Sequence, residues 1–443
     1  MAKSVKDVQK SVLFAKENKL HVTVHSSGHD FNGRSTADGS LMIDLSSMKE
    51  IEIKLNSTRH HAGELHNVNR VVVGGSSHTV SPGGYTLGGG HSPIARKFGL
   101  AVDQVLEMKV VVADGSIVDC TADSSTIYYP DGTVDSTNDT DLFWALRGGG
   151  GGTYGIVVKF TYKLHHQPRQ LVKMEITIPM NNLNSPLLKG IEFMDGVNRL
   201  IQNLPDEYGG YLLLNNFPSE TPAKYMIGSY TLLLLKFGPW DSETKNILGP
   251  FEECISQHEC ELKIENKTSF YDYEKEVFES TIYRVYILGT FLQPESLNSV
   301  LTAFMIPELY LLRQKNKVYM ACGGVLIGGK ISRFSYESAP IHPGFRNGLV
   351  CMTCVVAMFD PSKDEENIAA GKKFARHLQM HGNGVYLNEA AYDLDNWQDA
   401  FWGIHYHRLL KIKEKWDPTN FFTCYHCVGS EKGTTRKQIV TCD

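Results

Sequence analysis

Gly74-Gly-Ser-Ser-His-Thr-Val-Ser-Pro-Gly-Gly-Tyr-Thr-Leu-Gly-Gly-Gly-His-Ser-Pro93 is a glycine-dense loop set between two apolar segments. A run of residues without Cβ lets main-chain N–H groups approach a ligand closely and adopt positive φ, which is how anion-cradling nests form. A flexible Gly/Ser linker would be polar on both sides. This stretch is instead entered from Arg70-Val-Val-Val73 and left through Lys97-Phe-Gly-Leu-Ala-Val-Asp103. It reads as the wall of a site for a large ligand carrying phosphates.

Upstream, Val5 to Asn18 places Val5, Val8, Val12, Leu13 and Ala15 on one helical face, and the alternating His21-Val-Thr-Val-His25 predicts a strand. Ser26-Ser-Gly-His-Asp-Phe-Asn-Gly-Arg-Ser35 then forms a second polar loop at a strand's end, where α/β sheets present ligand sites. Ser40 to Leu45 is another short strand. Downstream, Val105 to Ala113 and Ser116 to Cys120 predict a hairpin around Asp114-Gly115, the signal of a type I′ turn. Gly150, Gly152 and Gly155 match G-x-G-x-x-G, but that fingerprint needs a strand before it and a helix after it, and here the strand Ile156 to Tyr162 follows. From about Leu164 glycine thins out, and long alternating and amphipathic segments run to about His381. They include strands at Leu171 to Ile178, Tyr225 to Lys236, Tyr283 to Leu288 and Val350 to Phe359, and a helix at Asp364 to Met380. A helix from Gly403 to Trp416 stops at Asp417-Pro418.

The 443 residues exceed the roughly 250–300 that one core serves, so two domains are expected. A net charge of −5 without a basic stripe excludes nucleic acid as a partner. The longest apolar run, Gly348 to Phe359, is shorter than the roughly 18–20 residues a membrane helix needs. The first ten residues carry no signal peptide, so the compartment stays open. Nine cysteines leave at least one unpaired, and Asn56, Asn138 and Asn266 head glycosylation sequons. Cys351-Met-Thr-Cys354 and Cys424-Tyr-His-Cys427, with His405, His407 and His426 nearby, offer an alternative reading as a zinc protein. The first pair lies in a strand, where i and i+3 point to opposite faces and chelate poorly.

Three segments together resemble one family: Ser26 to Ser35, Gly83-Gly-Tyr-Thr-Leu-Gly-Gly-Gly-His-Ser-Pro93, and Asp141-Leu-Phe-Trp-Ala-Leu-Arg-Gly-Gly-Gly150. In order and spacing they resemble the FAD-linked oxidoreductases of the berberine-bridge-enzyme-like type, within the vanillyl-alcohol-oxidase (PCMH-type) flavoproteins. The likeness continues through Tyr386-Leu-Asn-Glu389 and Asn396 to Gly403, and the tail from Phe422 to Glu431 is similar to the fungal branch. The resemblance implies an α+β fold: a PCMH-type FAD-binding domain made of both chain ends (1–165 and 386–443) around an inserted substrate domain (166–385), an antiparallel sheet covered by helices. It implies that Ser26, Ser27, Gly28, His29 and Asp30 line FAD, with His29 joined to the flavin 8α-methyl. Val80, Gly83, Gly84, Gly88, Gly89, Gly90 and His91 would line it from the glycine stretch. Asp103, Gly155, Ile156, Val157 and Tyr406 would complete the cofactor contacts.

The chain also departs from that pattern. Ser77 stands where many relatives carry a second flavin link through cysteine, so at most one covalent link remains. Val80 occupies what resembles the oxygen-gatekeeper position, where valine goes with oxidases, although Ser81 replaces the usual glycine. A leading strand before Val5, and a strand and helix between Ile53 and Arg70, are expected from the family and not offered by this sequence. An inactive or truncated flavin-binding relative is therefore a third reading. For the active reading, the expected reaction is hydride transfer from a C–H bond of an alcohol, of sugar or secondary-metabolite type, to flavin N5, with O2 as the second substrate and H2O2 as product. Glu389 stands where relatives often have a tyrosine base. A carboxylate there lowers the unperturbed pKa from about 10 to about 4.3 and suits a base; a surface glutamate is the other reading. Tyr386 and Asn388 would line or flank the site. His405 would either hydrogen-bond the flavin N1–C2=O edge or cap a helix. Relatives of this type are often secreted.

Overall fold

The computed structural model describes residues 1–55, 58–61, 69–179, 186–217, 227–277, 284–300, 315 and 319–432. Helix α1 (Val5–Glu17) opens with a capping box: Asp7 N–H donates to the Ser4 hydroxyl and Ser4 N–H to the Asp7 carboxylate. Its buried side carries Val8, Val12 and Ala15, against β1 (Val22–His25) and its parallel partner β2 (Leu41–Asp44). The hairpin β3 (Glu52–Leu55) and β4 (Thr58–His61) follows. Residues 56–57 and 62–68, with the Asn56 sequon and most of the stretch before Arg70, lie outside the described residues.

After the short strand β5 (Arg70–Val71), the glycine stretch departs from the expected loop, because Pro82–Gly88 forms helix α2. Pro82 sits at the first helical position, where its fixed φ suits the helix and its missing N–H costs nothing, and Ser81 before it is extended. The burial of Thr86 and Leu87 outweighs the glycines' poor helix propensity. Gly90, at φ +76°, then turns the chain, and a Cβ there would stand 2.5 Å from that of Ala101.

Next come β6 (Val105–Val111), β7 (Ile117–Thr121), β8 (Ser125–Tyr128), β9 (Val134–Thr137) and β10 (Ile156–Tyr162), an antiparallel sheet in the order β10-β6-β7-β8-β9. The β6–β7 hairpin forms as expected, but its turn is not type I′. Gly115 alone takes positive φ (+86°) and its N–H returns to Val112 O, a turn followed by a left-handed glycine. A two-residue strand, β11 (His165–His166), pairs back to β5.

The middle of the chain builds one antiparallel sheet from β12 (Leu171–Pro179), β13 (Tyr208–Phe217), β14 (Ile227–Lys236), β15 (Glu261–Lys267), β16 (Arg284–Leu292), β17 (Tyr319–Leu326) and β18 (Val350–Met358). Its order is β15-β12-β14-β13-β17-β18-β16. Alternation sorts the residues by face. Leu212, Leu214, Met320, Cys322, Met352, Cys354 and Leu288 join the core under the helices Pro186–Gln202 and Asp364–His381. The intervening residues point the other way, toward the glycine stretch.

The last segment rejoins the first part. Val385, Leu387, Trp397, Trp402 and Leu409 pack into the same core as Leu87, Val105, Trp144 and Tyr154. Arg34 donates to Leu387 O at 3.1 Å, Trp402 to Gly148 O at 3.0 Å and Lys413 to Thr153 O at 2.7 Å. Among the described residues, no helix is long and apolar enough to cross a membrane.

Candidate active site

A cavity of about 370 Å³ opens on the face of the seven-stranded sheet turned away from the helices Pro186–Gln202 and Asp364–His381. Tyr211 and Leu213 on β13, Ala321, Gly323 and Val325 on β17, and Thr353 and Val355 on β18 form its floor, one residue in two along each strand. Thr353 is flanked in register by Gly323 and Gly289, and the missing side chains leave room beside its hydroxyl.

Glu389 and His91 stand at the edge of this floor. Glu389 lies in a 3₁₀ turn, Leu387–Glu389, and its side chain is 24% exposed. His91 Nε2 is 3.0 Å from Oε1, and the Thr353 hydroxyl donates to Oε2. Burial, the largest single influence, favours the neutral acid, but the His91 charge and the two hydrogen bonds outweigh it and hold the carboxyl below its ordinary value. A carboxylate only accepts, so His91 Nε2 carries the hydrogen in this pair. Tyr386 packs edge-on to His91 at 4.9 Å between ring centroids and accepts a hydrogen bond from Asn388 at 2.8 Å. Burial first and the Glu389 charge second push its phenol far up, so it stays protonated. Asn388 also donates to Gly84 O at 3.0 Å and lies so close to Gly88 that a Cβ there would come within 2.4 Å of its amide.

The two polar loops meet beside α2. The Ser26 and Ser81 hydroxyls touch, Ser81 N–H donates to Ser27 Oγ at 3.0 Å, and His29 Nε2 lies 2.7 Å from Thr79 Oγ1. Ser27, Gly28, His29 and Gly84 are exposed, and nothing lies within 4 Å of where a Cβ would stand on Gly84. Gly83 borders Ser26, and Val80 is half-buried between the loops. Asp30 turns its carboxylate inward, onto Asn32 N–H, Arg34 N–H and Arg34 Nε, so it does not repel an anion laid on the loop. Gly89 and Gly90 accept from Val102 and Ala101 with their carbonyls behind the helix.

Other residues singled out in the sequence lie apart from this cluster. Asp103 forms a two-bond ion pair with Arg346, at 2.7 and 2.8 Å, with both side chains 1% exposed. Gly155 fits where a Cβ would stand 2.5 Å from Val111 O, and Ile156 and Val157 are buried in core. Tyr406 packs on Trp397 and bonds Glu431 at 2.6 Å. His405 is buried edge-on to Trp144 at 5.7 Å, at the start of the helix Tyr406–Trp416. The zinc alternative is overturned by the pairing of the cysteines. Cys354 is bonded to Cys322 across β17 and β18, Cys424 to Cys427, and Cys254 to Cys260, so those sulfurs are not thiolate ligands.

Thr353, Tyr211 and Glu274 join this region without a motif to mark them, and Ser76, inside the glycine stretch, has no role of its own in the sequence. Their positions come from strand register and loop docking, and only the alternation of β13 and β18 carries a trace of them in the sequence.

Residues 1–121 match the family described as FAD binding domain, and residues 385–428 the family described as berberine and berberine like. The chain is 29% identical to the FAD-linked oxidoreductase ZEB1 of Gibberella zeae, over 97% of this chain and 75% of the relative. It is 26% identical to a VAO-type flavoprotein oxidase of Thermothelomyces thermophilus, over 96% of this chain and 74% of the relative. Among solved structures it is similar to a VAO-type flavoprotein of Myceliophthora thermophila C1, with TM-score 0.76 and 24% identity, covering 97% of this chain and 79% of the other. The xylooligosaccharide oxidase of the same organism, solved with xylobiose, gives TM-score 0.76 and 22% identity over 96% and 90%. The glucooligosaccharide oxidase of Acremonium strictum, described with 6-S-cysteinyl, 8α-N1-histidyl FAD, gives 0.76 and 20% over 97% and 90%.

Proposed function

We propose that this chain, an FAD-dependent oxidoreductase of the berberine-bridge-enzyme-like type with the α+β fold of VAO-type flavoproteins, oxidises an alcohol carbon of a small molecule held in the cavity under Glu389. The observation that carries this reading is the ionised Glu389 carboxylate, fixed by His91 and Thr353 at the edge of an apolar floor. The loops around His29 suit FAD. They present hydroxyls, an exposed imidazole and open glycine backbone, and their one acid, Asp30, is turned inward. Bound FAD supplies a hydride acceptor that O2 reoxidises to give H2O2.

The chain's own residues manage position and protons. Glu389 takes the hydroxyl proton as the C–H bond breaks, and alcohol becomes carbonyl. His91 and Thr353 hold the carboxylate in place. Thr79 occupies His29 Nε2, which leaves Nδ1 as the nitrogen for the single covalent link. With Ser77 in place of cysteine no second link forms. We take the chain to divide at 165/166 and 385/386, a division under which this cavity lies between the two parts. Sugars are the substrate class of oligosaccharide oxidases of similar fold, and secondary metabolites, which the apolar floor favours, are the competing class.

The test is purification followed by acid precipitation. Yellow protein whose flavin stays with the polypeptide, and is lost from it in His29→Ala, is expected. Peroxide release in a panel of mono- and oligosaccharides and phenolic alcohols then identifies the substrate. Protein that takes up no flavin overturns the proposal in favour of an inactive relative.

A further inference from the structure

A second carboxyl group stands behind the cavity wall opposite Glu389. Tyr211 lines the cavity, and its hydroxyl lies 2.5 Å from Ser76 Oγ. Ser76 Oγ lies 3.2 Å from Oε1 of Glu274, the last residue of the helix Phe270–Glu274. His78 Nε2, 3.0 Å from the Glu274 carbonyl, fastens the glycine stretch to that helix. The result is a phenol–hydroxyl–carboxyl chain running from the cavity away from the base.

Each hydroxyl in such a chain donates one hydrogen bond and accepts others, so its direction is set at the end that titrates. With Glu274 ionised, Ser76 donates to the carboxylate, Tyr211 donates to Ser76, and the phenol offers the cavity only an acceptor. With Glu274 protonated, the acid donates to Ser76, Ser76 donates to Tyr211, and the phenol O–H is turned to the cavity as a donor. We propose that Tyr211 is a substrate-positioning residue whose hydrogen-bonding polarity toward the cavity is set by Glu274 through Ser76. The inference rests on the reading of this cavity as the substrate site.

The surroundings permit both states near neutrality. Burial raises the Glu274 carboxyl to about 7, and the Ser76 hydrogen bond only partly opposes it. Tyr85, Tyr211 and Tyr273 face it, and burial keeps all three phenols neutral. His78 meets its carbonyl, and Glu389 lies across the cavity. The neighbouring Lys275 is held by Asp272, and Glu276 by Lys267. The two carboxyls are thus pushed to opposite sides of their ordinary range, an arrangement that separates roles between paired acids.

The test uses two neutral probes of similar size: phenol, which donates, and acetophenone, which only accepts. Calorimetry on the full chain measures their affinities on either side of pH 7. Phenol should bind more tightly above that pH and acetophenone below it, each by roughly three- to tenfold, the scale of one hydrogen bond. Glu274→Gln leaves an amide that does not titrate, so whichever way the amide is turned the preference should be the same at every pH and the crossover should vanish. Ser76→Ala, which breaks the chain and keeps the carboxyl, should abolish the crossover too, and it stands in if Glu274→Gln does not fold. A preference that does not change with pH in the unsubstituted chain, or a crossover that persists in Glu274→Gln, overturns the inference. A crossover in protein that takes up no flavin would sink the proposed function and leave only the Glu274–Ser76–Tyr211 coupling standing, without a substrate to position; flavin uptake with peroxide release and no crossover sinks the inference and leaves the proposed function.

Discussion

A carboxyl in an apolar cavity ordinarily gains a proton, and Glu389 keeps its charge because His91 and Thr353 each give it a hydrogen bond. Since its value is held below the ordinary carboxylate range, the limiting rate of flavin reduction at saturating substrate should be level through neutral pH and fall only in acid, where the base is protonated, while the change that Glu274 brings near pH 7 should appear in KM. Glu389→Gln should slow anaerobic flavin reduction by about 100-fold or more, the usual scale of a lost general base. His91→Ala removes the charge and one of the two hydrogen bonds that depress the carboxyl, so its acid limb should move toward neutral pH. Stopped-flow absorbance across pH measures both, and an unmoved limb in His91→Ala would remove His91 from this role. At this scale the sequence was informative where chemistry rides on a linear motif. His29, His91 and Glu389 could be singled out that way, whereas Thr353 and Tyr211 reach the cavity only through register and Glu274 only through docking of the glycine stretch.

Strand alternation explains both the cavity and the staple behind it. On β17, Cys322 turns toward the helix-covered core and bonds Cys354, while Gly323 beside it turns toward the cavity. The bond closes a loop with a sequence separation of 32, for which chain-entropy arguments give about 3.7 kcal/mol. Cys322→Ser with Cys354→Ser should lower the unfolding free energy by about that amount in denaturant titrations, and dithiothreitol should shift the melting temperature less than in the unsubstituted chain, since Cys254–Cys260 and Cys424–Cys427 remain. Gly323→Val should be tolerated, since a Cβ there meets nothing nearer than Leu213 at 3.7 Å. It narrows the floor next to Thr353, so KM should rise by about tenfold with kcat less affected, as when uniform binding is lost. Steady-state kinetics together with a melting curve separate the two effects. Among elements, β12, β14, β16, β18 and the helix from Asp364 were legible from their periodicity. β13 opens on Gly209-Gly210 and β15 alternates mostly between charged and half-exposed residues at the sheet's edge, so neither announces itself. The helix at Pro82 was hidden because glycine argues against helix wherever packing is unknown.

Across the whole molecule, Asp103 and Arg346 tie the first part of the chain to the segment before β18. Removing one partner of so dry a pair leaves a buried charge, which costs about 3–5 kcal/mol. Arg346→Met should therefore destabilise strongly, and adding Asp103→Asn should recover part of the loss; urea unfolding of the single and double variants measures the coupling. The joining of both chain ends was legible only through resemblance to a family, because periodicity says which face of an element is apolar and not which distant element covers it. That shared core also fixes an order of events on the ribosome. The partners Val157 and Val385 emerge about 230 residues apart, which at 5–20 residues per second is a delay on the order of ten seconds to a minute. Through that interval the apolar side of the first sheet has only the helix Asp141–Leu146 and its neighbours over it, and the part that the last segment covers waits exposed. If those loops hold flavin as proposed, their brace, the Arg34 hydrogen bond to Leu387 O, forms only once the last segment has emerged.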